Sequence, residues 1–228
     1  GTRNLLEIKE SVHQLENLGV NSNASIGHNL SRILPNDIPQ PIQDRDTKLV
    51  FEGRFFPRPA QNETQEIMNG DSEDPAEKAK NIIGNRDGSY AFALLSDRRI
   101  LVGRDSIGLM PLYYGENERI RAFASERKGL WAVGILNVKS FPPGNLAIVG
   151  ERGMFFQPVR RIVKPVVKPF SMQDATGHLE HLLVQSFNER VSDVEKISVA
   201  FSGGLDSSVL AFLAAKCHVK VQLIYVGF

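Results

Sequence analysis

Cysteine is almost absent from this 228-residue chain: Cys217 stands alone. An intrachain disulfide and a cysteine-built metal site are both excluded, and a reducing, cytoplasmic setting is expected. An excess of charge of one sign is lacking too, with 27 Lys and Arg against 26 Asp and Glu and a net charge of +1. Such a balance does not match a phosphate backbone, so nucleic acid is not an expected partner. Long apolar runs are missing as well. The stretch from Val209 to Ala215 is among the longest, far short of the roughly 20 residues that cross a bilayer, and no membrane partner is expected. No signal-peptide pattern opens the chain, and Gly1 in place of Met predicts trimming at the start. What is present, 42% hydrophobic and 23% charged residues, suffices for the core of one large or two small domains.

Apolar residues at Leu5, Ile8, Val12, Leu15 and Leu18 fall at helical spacing before Gly19 and predict a surface helix over 5–18. Residues 21–45, rich in Asn, Pro and Asp, read mostly as loop. A short strand is expected at 48–51, and a polar stretch covers 57–72. Asp74 as N-cap with Pro75 at the first helical position opens a helix to about residue 83. From Ser89 the period becomes that of strands, with short runs at 89–96, 100–104, 111–114, 121–125, 146–149 and 154–157 separated by turns. Successive hairpins make an antiparallel sheet. Trp131, Phe141, Phe155 and Phe156 are expected in cores.

Residues 158–170 hold three prolines and four Lys or Arg without periodicity and read as an interdomain linker. Beyond it, Leu179, Leu182, Leu183, Phe187 and Val191 mark an amphipathic helix. A buried strand at 197–201, a glycine turn, an apolar helix over 207–216 and a strand at 219–226 follow. Strand, helix, strand in that order predicts a right-handed parallel unit. His178 and His181 lie three apart on the amphipathic helix, where a solvated surface pair is the expectation rather than a metal site.

The turn reads Ser202-Gly203-Gly204-Leu205-Asp206-Ser207-Ser208, directly after a strand and before a helix. A phosphate-binding loop requires that context. Two glycines permit positive φ and close approach of phosphate oxygens. Successive N–H groups, the Ser202 and Ser207 hydroxyls and the helix N-terminus can converge on an anion. Asp206 would repel that anion unless Mg²⁺ bridges the two. A plain helix cap accounts for one polar residue, not for two glycines and three serines. No Gly-Lys-Ser/Thr follows, so this is not a Walker loop, and Gly-x-Gly-x-x-Gly is absent.

Ser-Gly-Gly-x-Asp-Ser is the signature of the PP-loop ATP pyrophosphatases, and the form Ser202 to Ser208 resembles the synthetase domain of glutamine-dependent asparagine synthetases. The strand from Gln222 to Phe228 is similar to that family's second strand. That likeness places Phe201, Val226 and Gly227 near an adenine. The front of the chain resembles the same family independently. Arg104-Asp-Ser-Ile-Gly-Leu-Met-Pro-Leu-Tyr-Tyr114 is similar to Arg-Asp-Arg-Leu-Gly-Ile-Lys-Pro-Leu-Tyr-Tyr, and Phe123-Ala-Ser-Glu-Arg-Lys-Gly-Leu130 to Phe-Ala-Ser-Glu-x-Lys-Ala-Leu. Leu49-Val-Phe-Glu-Gly53 is similar to Leu-Val-Phe-Asn-Gly.

The resemblance implies an α+β fold: a four-layer αββα sandwich of the N-terminal-nucleophile hydrolase type over 1–160, a linker over 161–172, and over 173–228 the start of an α/β parallel-sheet PP-loop domain. It implies ATP and Mg²⁺ on Ser202, Gly203, Gly204, Asp206, Ser207 and Ser208, with Asp206 meeting the metal through ATP. It also implies a carboxylate substrate, aspartate before others, and ammonia or glutamine as nitrogen donor. A homodimer is compatible with it. Four departures stand against the glutaminase half. Residue 1 is glycine where the family's nucleophile is a first-residue cysteine. Glu52-Gly53 replaces the Asn-Gly of the oxyanion hole, so a carboxylate opposes the developing negative charge. Arg54 replaces a substrate-binding Glu, and Gly27-His28-Asn29-Leu30-Ser31 stands for Gly-His-Arg-Arg-Leu, with the glutamine-holding Arg displaced or lost. Three readings follow: an asparagine synthetase-like ligase with an impaired glutaminase half, a β-lactam-forming or other amide-forming relative, and a non-catalytic nucleotide-binding or regulatory relative.

Overall fold

The computed structural model describes residues 11–17, 23–29, 37–70, 72–96, 99–150, 152–164, 166, 169–192 and 194–225, with backbone alone at 11–17, 23, 25 and 29. Two compact units result, Gly1–Val163 and Lys164–Phe228.

The first unit is built on β4 (Thr47–Phe55), β5 (Gly88–Ser96) and β6 (Arg99–Arg104), central strands of an antiparallel six-stranded sheet ordered β11-β10-β6-β5-β4-β3. The outer members are β3 (Ile42–Asp44), β10 (Asn145–Gly150) and β11 (Gly153–Pro158). Register assigns the faces, because side chains alternate along a strand. Leu49, Phe51 and Phe55 of β4 share one face with Tyr90, Phe92 and Leu94 of β5 and Leu101 of β6. These residues pack with Ile67 and Met68 of α1 (Glu63–Met68) and Ala79, Ile82 and Ile83 of α2 (Pro75–Asn85). The opposite face carries Ala91, Val102 and Ala147, which pack with Leu112, Phe141, Tyr114 and Phe123. Tyr114 and Phe123 sit on β7 (Tyr113–Glu116) and β8 (Arg121–Ala124), two strands of a second sheet ordered β8-β7-β9, where β9 is Lys139–Ser140. Helix α3 (Arg127–Ala132) covers the far side: a Cβ on Gly129 would meet the Ala124 Cβ, and the Arg127 guanidinium lies over the Tyr113 ring. Helices, sheet, sheet, helix are the four layers expected.

The caps are those the sequence offers. Asp74 accepts from the Ala76 N–H at the start of α2, and Asn62 accepts from the Gln65 N–H at the start of α1. Tyr90 is fully buried, and its hydroxyl donates to the carbonyls of Ile82 and Arg86 at the end of α2.

The helix expected at 5–18 is not formed over its described part. Residues 11–17 are strand β1 (Ser11–Asn17), paired over seven residues with β2 (Asn23–Asn29); residues 5–10 and 18 lie outside the described residues. A non-local partner supplies the backbone hydrogen bonds here, which intrinsic helical spacing does not reveal. The loop read over 21–45 likewise contains β2 and β3. Its polar composition hides a minimal strand signal, Ala24 and Ile26 two apart, both buried against Leu95. The polar stretch over 57–72 contains α1. Phe141 is buried as expected, but Trp131 is 52% and Phe155 60% exposed. Phe155 lies on the edge strand β11, where a large ring has less to pack against.

In the second unit, α4 (Met172–Val191) precedes β12 (Lys196–Ala200), α5 (Leu205–Lys216) and β13 (Lys220–Ile224), and β12 and β13 pair in parallel. The leucines of the α4 stripe are exposed. Cys217 is half-buried and directs its Sγ to the Asn188 Oδ1 at 3.4 Å.

Candidate functional site

Two places gather chemistry, one in each unit. In the first unit a cavity of about 350 Å³ opens beside the end of β4. Alternation along β2 places His28 two residues beyond Ile26, at its margin. Alternation along β4 turns Glu52 and Arg54 away from the helix-packed core that holds Phe51 and Phe55. The Gln40 side chain acts as an extra strand partner: its Nε2 donates to the Phe51 carbonyl at 3.0 Å and its Oε1 accepts from the Phe51 N–H at 2.6 Å. At Gly53, φ is +119° and a Cβ would stand 2.0 Å from the Ser89 carbonyl oxygen, so only glycine fits.

Arg54 Nη2 donates to both Asp37 carboxylate oxygens at 2.7 and 2.9 Å, and its Nη1 donates to the Gly53 carbonyl at 2.7 Å. Glu52 Oε2 accepts from the Ser125 hydroxyl at 2.6 Å. Glu63 is 7% exposed and also lines the cavity, and its carboxylate makes no hydrogen bond or ion pair with any described residue. Burial lowers the His28 pKa, against the opposing pull of the Glu52 and Asp37 charges, and its Nδ1 has no hydrogen-bond partner. Sequence reasoning finds Glu52, Gly53 and Arg54; it misses Asp37, Ser125 and Glu63, whose approach depends on chain segments far from β4.

The apolar wall at Met110 is held by an adjacent pair. Arg104 donates through Nε, Nη1 and Nη2 to the carbonyls of Met110, Phe141 and Gly108 at 2.6, 2.7 and 2.6 Å. Asp105, 1% exposed, accepts from the N–H groups of Ile107, Gly108 and Leu109 on Oδ1 and of Met110 on Oδ2. The Arg-Asp start of the motif at 104–114 is thus the anchor of the loop that follows.

In the second unit, Gly203 has φ +79° with open space where a Cβ would stand. Gly204 is the N-cap of α5 and offers no side-chain cap. The N–H groups of Gly203, Leu205, Asp206 and Ser207 make no hydrogen bond among the described residues; the first helical bond runs from the Ser208 N–H to the Gly204 carbonyl at 3.0 Å. The Ser207 hydroxyl is turned inward, 3.1 Å from the Gly204 carbonyl and 3.1 Å from the Ser202 hydroxyl, and accepts from the Ser202 N–H. This brace sets the loop shape. Asp206 is exposed in the first turn, and Phe201 ties to β13 through its N–H and the Ile224 carbonyl at 2.8 Å. Val226 and Gly227 lie outside the described residues.

A four-layer αββα unit followed by a parallel strand, helix, strand unit defines a class: an amidotransferase-type domain followed by the opening of an α/β domain. Comparison with known proteins bears this out. Residues 28–132 match the glutamine amidotransferase domain family, and residues 178–228 match the asparagine synthase family. The glutamine-hydrolysing asparagine synthetase 1 assigned in Methanocaldococcus jannaschii is 29% identical over 96% of this chain and 45% of its own length. Asparagine synthetase B of Escherichia coli is 30% identical over 61% of this chain and 26% of its own. In fold, the chain is similar to glutamine phosphoribosylpyrophosphate amidotransferase of B. subtilis, with a TM-score of 0.52 and 17% identity over 87% of this chain and 51% of that one. The chain is therefore asparagine synthetase-like in both units and in their order, and it spans less than half the length of the curated relatives it matches.

Proposed function

We propose that the protein is an ATP-dependent carbon–nitrogen ligase of the asparagine-forming kind. A carboxylate, with aspartate as first choice, attacks the α-phosphorus of ATP on the loop at Ser202 to Ser208, pyrophosphate leaves, and ammonia displaces AMP to give an amide. The observation that carries this reading is the set of four unused N–H groups at Gly203, Leu205, Asp206 and Ser207, beside an open glycine at φ +79°. These donors meet charge that grows on the leaving pyrophosphate. The Ser202–Ser207 brace keeps them fixed before substrate arrives, so little reorganisation is needed. Asp206, exposed one residue into α5, is the group that would hold Mg²⁺. Mg²⁺, when bound, offsets phosphate charge.

The test is ATP-dependent pyrophosphate release by the full-length protein with aspartate. Asp206→Ala is expected to lower it at least a hundredfold; unchanged release counts against the reading.

The front unit, on this reading, is impaired as a glutaminase. Glu52 presents a carboxylate, already accepting from Ser125, where an amide donor is needed, and Arg54 is committed to Asp37. Glutamate release from glutamine by full-length protein is expected to stay near background, and ordinary turnover would overturn this part alone. The same impaired cavity favours a second reading, a regulatory relative that binds nucleotide without turnover. Mg·ATP binding without pyrophosphate release under every carboxylate offered would select it.

A further inference from the structure

The front cavity has lost the marks of a glutamine site, but it has not been filled. About 350 Å³ remain, walled by Ile38, Phe56 and Met110 on the apolar side. Among the described residues that line it, the charges do not cancel. The Arg54 guanidinium is met by both oxygens of Asp37, so that pair is neutral as a unit. Glu52 and Glu63 remain. Ser125 satisfies one Glu52 oxygen by donating to it but brings no positive charge. The Glu63 residue is 7% exposed, and its carboxylate makes no hydrogen bond or ion pair with any described residue. Two carboxylates beside an apolar wall are costly unless a cation answers them. His28 does not answer them at neutral pH, because burial disfavours its charged form. A metal ion is a poor candidate, since no group of three or more His, Cys, Asp or Glu among the described residues is arranged to hold one.

The geometry points to a small organic ammonium compound, an alkyl amine or diamine, as the ligand of this cavity, its charged group between Glu52 and Glu63 and its methylenes along Ile38, Phe56 and Met110. Glutamine fits poorly by the same chemistry, since its carboxylate would face two like charges. This inference rests on the placing of Glu52 and Arg54 that also underlies the loss of glutaminase activity. Glutamate release reads that loss, and amine binding reads this proposal, so either can fail without the other.

The experiment is calorimetric titration of the 228-residue chain with 1,4-diaminobutane, with butane-1,4-diol as neutral isostere. Saturable heat is expected with the diamine and not with the diol. Glu52→Gln and Glu63→Gln are each expected to weaken binding at least tenfold, and Glu116→Gln, on the surface strand β7, to leave it within twofold. Amide chemical shifts of Thr64 and Ser125 in the unaltered chain provide a readout that does not depend on the variants folding; both are expected to move as diamine saturates. Absent heat, equal heat with the diol, unchanged affinity in both Gln variants, or shifts confined elsewhere would each overturn the proposal.

Discussion

Asp105 shows how a single side chain can determine the shape of a site it does not enter. Its two oxygens take four backbone N–H groups in the loop after β6, each a charge-assisted bond in a buried setting. Asp105→Asn keeps the volume but turns one acceptor into a donor facing N–H groups. It is expected to destabilise the first unit by about 2–4 kcal/mol, given about 1.5–3 kcal/mol for bonds to charged groups, as measured by urea unfolding. Gly53→Ala forces a Cβ onto the Ser89 carbonyl at positive φ and is expected to cost a comparable amount or to prevent folding. His28 gives a pH signature. Its folded pKa is below the ordinary 6.5, so the native state disfavours the charged form more than the unfolded state does. The contribution is complete above pH 6.5 and is lost as the pH falls below it. His28→Asn is expected to flatten the acid limb of stability against pH, with Glu52 and Asp37 as the charges that partly oppose the effect.

At the scale of the element, β4 carries two jobs on two faces. Phe51 packs among Phe55, Tyr90 and Phe92 on the helix side, and Phe51→Ala is expected to cost about 3–5 kcal/mol. Glu52, its neighbour, faces the cavity, and Glu52→Asn is expected to cost less, about 1.5–3 kcal/mol at most, since it gives up one charge-assisted hydrogen bond to Ser125. Melting curves of the two variants check the contrast; equal losses would refute the assignment of faces. Much of this architecture is legible in the sequence because its strands are short, alternating and joined by turns, and because Asp74-Pro75 and the glycine turn at Gly203 and Gly204 are local signals. Strand β1 is not legible, since its hydrogen bonds come from β2. Helix α1 is missed because its six residues are too few to show a period. In the cavity, Glu52 and Arg54 are visible as departures from a resembled motif, but their partners Ser125 and Asp37 lie 73 and 17 residues away, and only the folded chain brings them close.

For the molecule as a whole, the two units differ in how much they bury. The first has three packed clusters. Among the described residues of the second, Val199 and Ala214 are the buried hydrophobics, and every residue of β13 is exposed although it pairs in parallel. Parallel strands are ordinarily covered on both faces. Hydrogen exchange of the 228-residue chain is therefore expected to be slow in β4, β5 and β6 and faster by at least a hundredfold in β12, α5 and β13. Equal protection would contradict the described burial.

The two-residue period of β4 has an evolutionary corollary. Because the side chains that hold the sandwich together and those that meet a ligand occupy opposite parities of one strand, selection can rewrite the ligand side letter by letter while the packing side stays untouched. Such a lineage can abandon one chemistry and acquire another without passing through an unfolded ancestor.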